Sequence, residues 1–297
     1  MTSLTRNAYA KINLTLDVGP RRADGYHDIS SVIQTIEMHD TLTVMRTSDT
    51  PGVHLEVTGS EGGGVPTDES NLVHRAAVRL QKAAAAREVI PSGQSGLHIL
   101  LHKRIPSQAG LGGGSSDAAA TLLAVNDLFG LALSLSRLSE IGAALGADVP
   151  FFLTGGTALV RGIGERVTPL PPLLPPWLLV VVKPPVGVST VAAYAALDAL
   201  PGRVPGSATE AWLNNESYLG NDFGAVVSPA YPEIAAAYAL LSQTNGTEKS
   251  FKPLLCGSGA AIFRRVASAA EAHRLAEHIT TVGAGKVWIT TTLGASE

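Results

Sequence analysis

From Pro106 the chain reads Pro106-Ser107-Gln108-Ala109-Gly110-Leu111-Gly112-Gly113-Gly114-Ser115-Ser116-Asp117-Ala118-Ala119, with four glycines in the five positions from Gly110 to Gly114. A backbone so free of Cβ atoms adopts positive φ readily and comes close to whatever it touches, so this run reads as a loop. The alanine- and leucine-rich residues Ser116 to Phe129 that follow predict a helix. The first N–H groups of a helix have no intrahelical acceptor, and the helix dipole adds positive potential there. A glycine loop feeding such an end, with the hydroxyls of Ser115 and Ser116 beside it, reads as a phosphate cradle. The competing account is a glycine-rich surface turn with Ser115 or Ser116 as N-cap. No Gly-Lys-Ser/Thr follows the glycines, so this is not a Walker A loop. Counted from Gly110, the third glycine of a dinucleotide fingerprint would fall on Ser115, which disfavours a nicotinamide-dependent oxidoreductase.

Around this loop the sequence predicts a mixed chain. Tyr9 to Val18 alternates, with Ala10, Ile12, Leu14, Leu16 and Val18 on one face and Lys11, Asn13, Thr15 and Asp17 on the other. Strands are expected at 32–45, 53–58, 97–102, 157–161, 177–183, 260–264 and 286–291. Helices are expected at 71–87 with Ser70 as cap, from Ser134 or Ser136 to near Gly146, from Thr190, at 229–242 and at 267–280. Strict βαβ repetition is missing, so the fold class is α+β, and the last elements are compatible with a ferredoxin-like half. Five prolines between Pro169 and Pro176 mark the expected boundary, giving an N-terminal domain at 1–168 and a C-terminal domain at 177–297.

Composition narrows the function classes. Lys+Arg 22 against Asp+Glu 25 gives a net charge of −3, which argues against a nucleic-acid groove. The single cysteine, Cys256, excludes an intrachain disulfide and reads as a small buried hydrophobe, as in a cytoplasmic setting. The most apolar stretch, Trp177 to Val182, is far short of the ~20 residues of a membrane span, and strand-like sequence by Tyr9 leaves no room for a signal peptide. Scattered histidines and the lack of a carboxylate cluster suggest no protein-built metal site.

Several side chains have two readings. Lys11 is a solvated strand residue or a buried cation pointing the same way as Asn13. Asp148, after Gly146 and before Val149-Pro150, is a turn residue or a carboxylate fixed on extended backbone. Tyr26 and His27, after the turn dipeptide Asp24-Gly25, are incidental to a hairpin or form a base-recognition pair. Cys256-Gly257-Ser258-Gly259 is a plain hairpin turn or a backbone that approaches a ligand.

The glycine loop resembles the ATP-binding loop of the GHMP kinases. Five further segments share that resemblance: Ala8-Tyr9-Ala10-Lys11-Ile12-Asn13-Leu14, Arg22-Ala23-Asp24-Gly25-Tyr26-His27, Gly146-Ala147-Asp148-Val149-Pro150-Phe151-Phe152, Gly162-Ile163-Gly164-Glu165 and Gly257-Ser258-Gly259-Ala260. Together they span residues 8–263 and are most similar to the members acting on a diphosphocytidyl methylerythritol. The resemblance implies a two-domain fold, with an N-terminal domain like ribosomal protein S5 and a ferredoxin-like C-terminal domain. It implies an active site in the cleft between them. The implied activity is ATP-dependent phosphorylation of that substrate's 2-hydroxyl, in the non-mevalonate route to isoprenoid precursors. Asp148 is then the catalytic base and Lys11 the second catalytic residue. Residues 106–116, Asn71 and Lys103 are on the ATP side, and Asn13, Tyr26, His27 and Tyr194 are on the substrate side. Tyr26 and Tyr194 are expected on opposite faces of the cytosine, with His27 at its edge. Mg²⁺ is implied across the β- and γ-phosphates. The expected partners are ATP and a cytidylyl diphosphate alcohol, with no nucleic acid or membrane, in a monomer or homodimer. The alternatives are a GHMP kinase for homoserine, mevalonate or a sugar, or a catalytically silent nucleotide-binding regulator.

Overall fold

The computed structural model describes residues 3–47, 51–87, 96–214, 218–243 and 252–294. In chain order its elements are β1 (Ser3–Asn13), β2 (Thr15–Arg21), β3 (His27–Thr47), β4 (Gly52–Thr58), α1 (Leu72–Ala86), β5 (Gly96–His102), α2 (Gly113–Leu128), α3 (Leu135–Ala143), α4 (Val149–Thr154), β6 (Thr157–Gly162) and β7 (Arg166–Leu170). There follow β8 (Leu178–Lys183), α5 (Thr190–Asp198), α6 (Ala208–Asn214), β9 (Gly220–Asn221), α7 (Gly224–Ala230), α8 (Pro232–Ser242), β10 (Leu254–Leu255), β11 (Ile262–Val266), α9 (Ala269–Thr281) and β12 (Lys286–Thr291). The fold is α+β.

Two compact units form, each discontinuous in sequence. The first holds the chain up to Ala10, Met38–Ser107 and Gly112–Thr154; the second holds Lys11–Glu37, Gln108–Leu111 and Gly155 onward. They are not the sequential halves expected on either side of 169–176. Pro169 lies in β7, which pairs antiparallel with β6. The missing N–H of a proline is tolerated at such an edge.

In the first unit, the end of β3 pairs antiparallel with β5 from Thr41↔His102 to Thr47↔Gly96, and β5 pairs parallel with β4. Among the described residues, four helices complete the unit. Leu42, Val44, Leu97, Ile99 and Leu101 from the strands meet Val73, Leu80, Ala118, Leu122 and Val125 from α1 and α2 in one core. Burial extends around α2 rather than along one stripe, which explains its run of alanines. Asn71, not Ser70, caps α1, accepting from Val73 N at 2.8 Å. Ser134 caps α3, one of the two caps expected.

In the second unit, β10, β11, β8 and β12 form an antiparallel sheet in that order. Read as β8, helices, β10, β11, α9 and β12, this is the ferredoxin-like split βαβ arrangement. Leu179 to Val182 are buried on both faces, hence their unbroken apolar sequence. Elsewhere in this unit β3 begins between β2 and β6, and β9 pairs parallel with β2.

Two expectations are corrected, and one short helix goes beyond those expected. The strand from Tyr9 to Val18 breaks at Leu14 into β1 and β2, whose polar and apolar rows are both buried. The helix at 229–242 is two helices, because Tyr231, which precedes Pro232, is extended at φ −128° and ψ 100°. The connection read through 202–207 leads into the short α6, whose first N–H groups, Ala208 and Thr209, donate to the distant Asp17 at 2.9 and 2.8 Å. A long-range cap of this kind leaves no local signal.

Candidate active site

The polar row of the first strands is not solvated. Lys11 is 4% exposed, and Asn13, Thr15 and Asp17 are buried with it. Lys11 Nζ donates to Asn13 Oδ1 at 2.7 Å, and Gly257 N donates to the same oxygen at 3.0 Å. Asn13 Nδ2 donates to Ser31 Oγ at 2.9 Å, so the amide has one orientation. Gly257 has φ +51°, and a Cβ there would stand 3.2 Å from Lys11 Nζ. Asn221 Nδ2 fixes this turn by donating to Leu255 O at 2.9 Å and Gly257 O at 2.8 Å. Burial pushes the Cys256 thiol up to about 12, even with Lys11 acting against the shift. The thiol therefore stays protonated and is no nucleophile.

The tip of the glycine loop belongs to the same unit as Lys11. Its carbonyls accept protein N–H groups: Gln108 O from Ala260 at 3.1 Å, Ala109 O from Ala261 at 3.0 Å, and Leu111 O from Lys11 at 3.0 Å. Ala109 and Leu111 bury their side chains. Gly110 has φ +74°, and a Cβ on it would fall 1.8 Å from Cys256 O. That glycine is required by close packing on protein, not by a ligand.

Helix N-terminal amides stand further along, in the first unit. Gly112, in the left-handed region at φ +73°, opens α2 without any side-chain cap and without an acidic residue in the first turn. Ser116 N donates back to Gly112 O at 2.9 Å. The amides before it, Gly113, Gly114 and Ser115, precede the first such bond, which leaves an anion-receptive end. Ser115 Oγ lies 3.6 Å from where a Cβ on Gly146 would be, so the Asp148 segment runs beside this end.

Asp148 is half-buried in the turn before α4. The extended backbone expected after it is absent. Val149-Pro150 begins α4 instead, and the Asp148 carbonyl accepts from Phe152 N at 3.4 Å. Proline is tolerated in a first turn, where its N–H would have no acceptor.

Two residues expected at the adenosine end are engaged by the protein itself. Asn71 is the α1 cap, and its Nδ2 donates to Pro66 O at 2.6 Å. Lys103 is buried, with its ammonium between Asp40 and Asp117 and 2.7 Å from Asp117 Oδ2. It is not available as a cation for phosphate.

The substrate-side residues separate into an exposed aromatic and a buried pair. Tyr26 is 60% exposed at the end of a hairpin in which Gly25 has φ +86°. His27 is buried, with Nδ1 3.0 Å from Gly19 O and Nε2 3.4 Å from Asp198 Oδ2. Its ring stacks on Tyr194 at 4.8 Å and 24°, and Tyr194 meets Phe223 edge-on at 4.9 Å. One face of the Tyr194 ring thus covers His27. Among the described residues, no group of three or more His, Cys, Asp or Glu could hold a metal ion. None of the described helices is long and apolar enough to cross a membrane.

The model of the GHMP kinases N terminal domain matches residues 71–156. A 4-diphosphocytidyl-2-C-methyl-D-erythritol kinase of Moorella thermoacetica is 44% identical over 290 residues, covering 94% of this chain and 95% of that protein. The chain belongs to the 4-diphosphocytidyl-2-C-methyl-D-erythritol kinase family.

A crystal structure of a kinase with that name superposes on this family member with a TM-score of 0.77 at 34% identity, covering 98% of this chain and all of the other. A homoserine kinase from Cytophaga hutchinsonii, at 20% identity and a TM-score of 0.67 over 100% and 96% of the two chains, shares the fold. Family membership makes the chain a small-molecule kinase with ATP as phosphoryl donor. Four residues that hold candidate residues or their turns in place escaped the sequence: Asp40, Asp117, Asn221 and Asp198. Only Asp198 left a usable signal, standing four residues after Tyr194 on one helix.

Proposed function

We propose that this kinase phosphorylates the 2-hydroxyl of 4-diphosphocytidyl-2-C-methyl-D-erythritol from ATP, as a step of the non-mevalonate route to isoprenoid precursors. The observation that carries the reading is 44% identity to the Moorella thermoacetica kinase over 94% of the chain. In this reading the open amides at the start of α2 receive ATP phosphate oxygens, and residues 106–112 shape the approach. Asp148 takes the proton of the attacking hydroxyl, a role worth about 10²–10⁴-fold in rate. The ammonium of Lys11, oriented by Asn13, favours the alkoxide and offsets charge developing in transfer. Tyr26 stacks on the cytosine, His27 and Tyr194 support its pocket, and Asn13 sits near the reacting hydroxyl.

Mg²⁺ brought with the nucleotide would supply charge neutralisation at the phosphates, and the Ser116 hydroxyl is the protein group that would hold it. The lack of a protein-built cluster among the described residues suits an ion carried by the nucleotide with several waters. The reading includes a cytoplasmic setting and a monomer or homodimer.

The test is phosphate transfer from labelled ATP to the cytidylyl methylerythritol, with mevalonate and homoserine as controls. Transfer to the first alone is expected. Transfer to a control in preference, or ATP binding without transfer, would overturn the reading.

A further inference from the structure

One buried cluster joins the two stems of the glycine loop. Asp40, in β3, has no exposed surface. Its Oδ1 accepts from Arg104 N and from Ile105 N, the latter at 2.9 Å, and its Oδ2 accepts from Lys103 Nζ. The same ammonium donates to Asp117 Oδ2 at 2.7 Å. A Cβ on Gly113 would stand 3.2 Å from Lys103 Nζ and 3.0 Å from Ile105 Cγ2, so the lysine head lies directly against the first turn of α2. Residues 103–105 lead into Pro106, and residues 113–117 leave Gly112. All of these groups belong to the first unit.

This cluster is an expensive way to fill a core. Two carboxylates share one ammonium, and Asp117 Oδ1 is buried with no hydrogen-bond partner. Burial drives the Asp117 carboxyl up to about 7, with Asp40 adding to the shift and Lys103 opposing it. Apolar side chains of similar volume commonly give equal or greater stability than a buried ionic group. What apolar packing lacks is direction: the charged groups fix where two main-chain segments stand relative to each other.

We propose that Asp40, Lys103 and Asp117 form a clasp that sets the spacing of the loop's stems, and that Asp40 and Asp117 are positioning residues for ATP. The inference rests on the reading that the loop receives ATP phosphates. It turns Lys103 from a ligand-facing cation into a part that acts through the backbone.

Asp40→Asn and Asp117→Asn test it, with ATP and CDP as calorimetric probes and hydrogen exchange of the 106–116 amides as a direct view of the loop. Loss of one charge-assisted bond predicts ATP binding about tenfold weaker in Asp40→Asn and about threefold weaker in Asp117→Asn, which keeps an acceptor for Lys103. CDP affinity should hold within about twofold in both, with loop amides exchanging faster than those of β8. If Asp40→Asn does not fold, Asp117→Asn decides. ATP affinity unchanged in every folded variant would overturn the clasp, as would equal weakening of ATP and CDP. A wild-type chain that binds ATP and shows the clasp effect but transfers no phosphate to the cytidylyl alcohol would overturn the proposed function alone.

Discussion

The buried ring of His27 lies between Gly19 O, 3.0 Å from Nδ1, and Asp198 Oδ2, 3.4 Å from Nε2. A carbonyl only accepts, so Nδ1 carries a proton and the ring has a fixed orientation. Tyr194, four residues before Asp198 on α5, covers the ring's face. Removing the carboxylate in Asp198→Ala should release the ring. We expect KM for the cytidylyl substrate to rise about tenfold, with KM for ATP unchanged. Steady-state kinetics with each substrate varied in turn checks this; equal rises in both constants would count against it.

Asp148→Asn separates chemistry from binding. The amide keeps the shape of the carboxylate but cannot take the hydroxyl proton. Turnover should drop about 10²–10⁴-fold, while ATP affinity stays within about twofold. An unchanged kcat would remove Asp148 from the mechanism.

Gly110 and Gly114 should respond oppositely to alanine. At Gly110 a Cβ meets Cys256 O at 1.8 Å with φ at +74°, and main chain must move. Gly110→Ala should cost about 2–4 kcal/mol or more and abolish activity. At Gly114, inside α2, the nearest atom to a Cβ is Leu72 Cδ1 at 4.0 Å. Gly114→Ala should leave stability unchanged or raise it by up to about 1 kcal/mol. Thermal melts of the two variants give the comparison.

Asp117 predicts a pH dependence of stability. Burial raises its carboxyl from an ordinary value near 4 to about 7 in the folded chain. Between those values the folded state holds the proton and the unfolded state does not. The contribution is therefore fully present below about pH 4 and lost as pH rises through about 7, amounting to a few kcal/mol at most. Asp117→Asn should flatten this part of the profile. Urea unfolding of both chains from pH 5 to pH 8 measures it; parallel curves would contradict the assignment.

Much of the architecture was legible because it is locally encoded. The β12 strand at 286–291, the cap of α3, the start of α5 at Thr190 and the glycine loop entering α2 all follow from residues within a few positions of one another. What failed depended on distant partners. Alternation from Tyr9 to Val18 gave two faces, but sequence could not show that the polar face is also buried. The seven-residue α6 is too short for periodicity, and it is held by Asp17 nearly two hundred positions away. For the site, the sequence places Lys11, Asn13 and His27 in one sequential domain with Asp148, and Tyr194 in the other. The structure instead groups Lys11, Asn13, His27 and Tyr194 in one unit and the loop's outgoing stem with the Asp148 segment in the other. Nor does the sequence show that Lys103 is buried between two carboxylates, because a motif records which residue stands at a position and not which way it points.

The carbonyls of Gln108, Ala109 and Leu111, each closed by a protein N–H, have an entropic consequence. Ordering a loop residue costs about 1–2 kcal/mol, and at this tip that loss belongs to folding. A nucleotide meeting the loop does not have to freeze these residues itself. On the proposed reading, the tip would give up one nucleotide and accept the next without being rebuilt in each cycle.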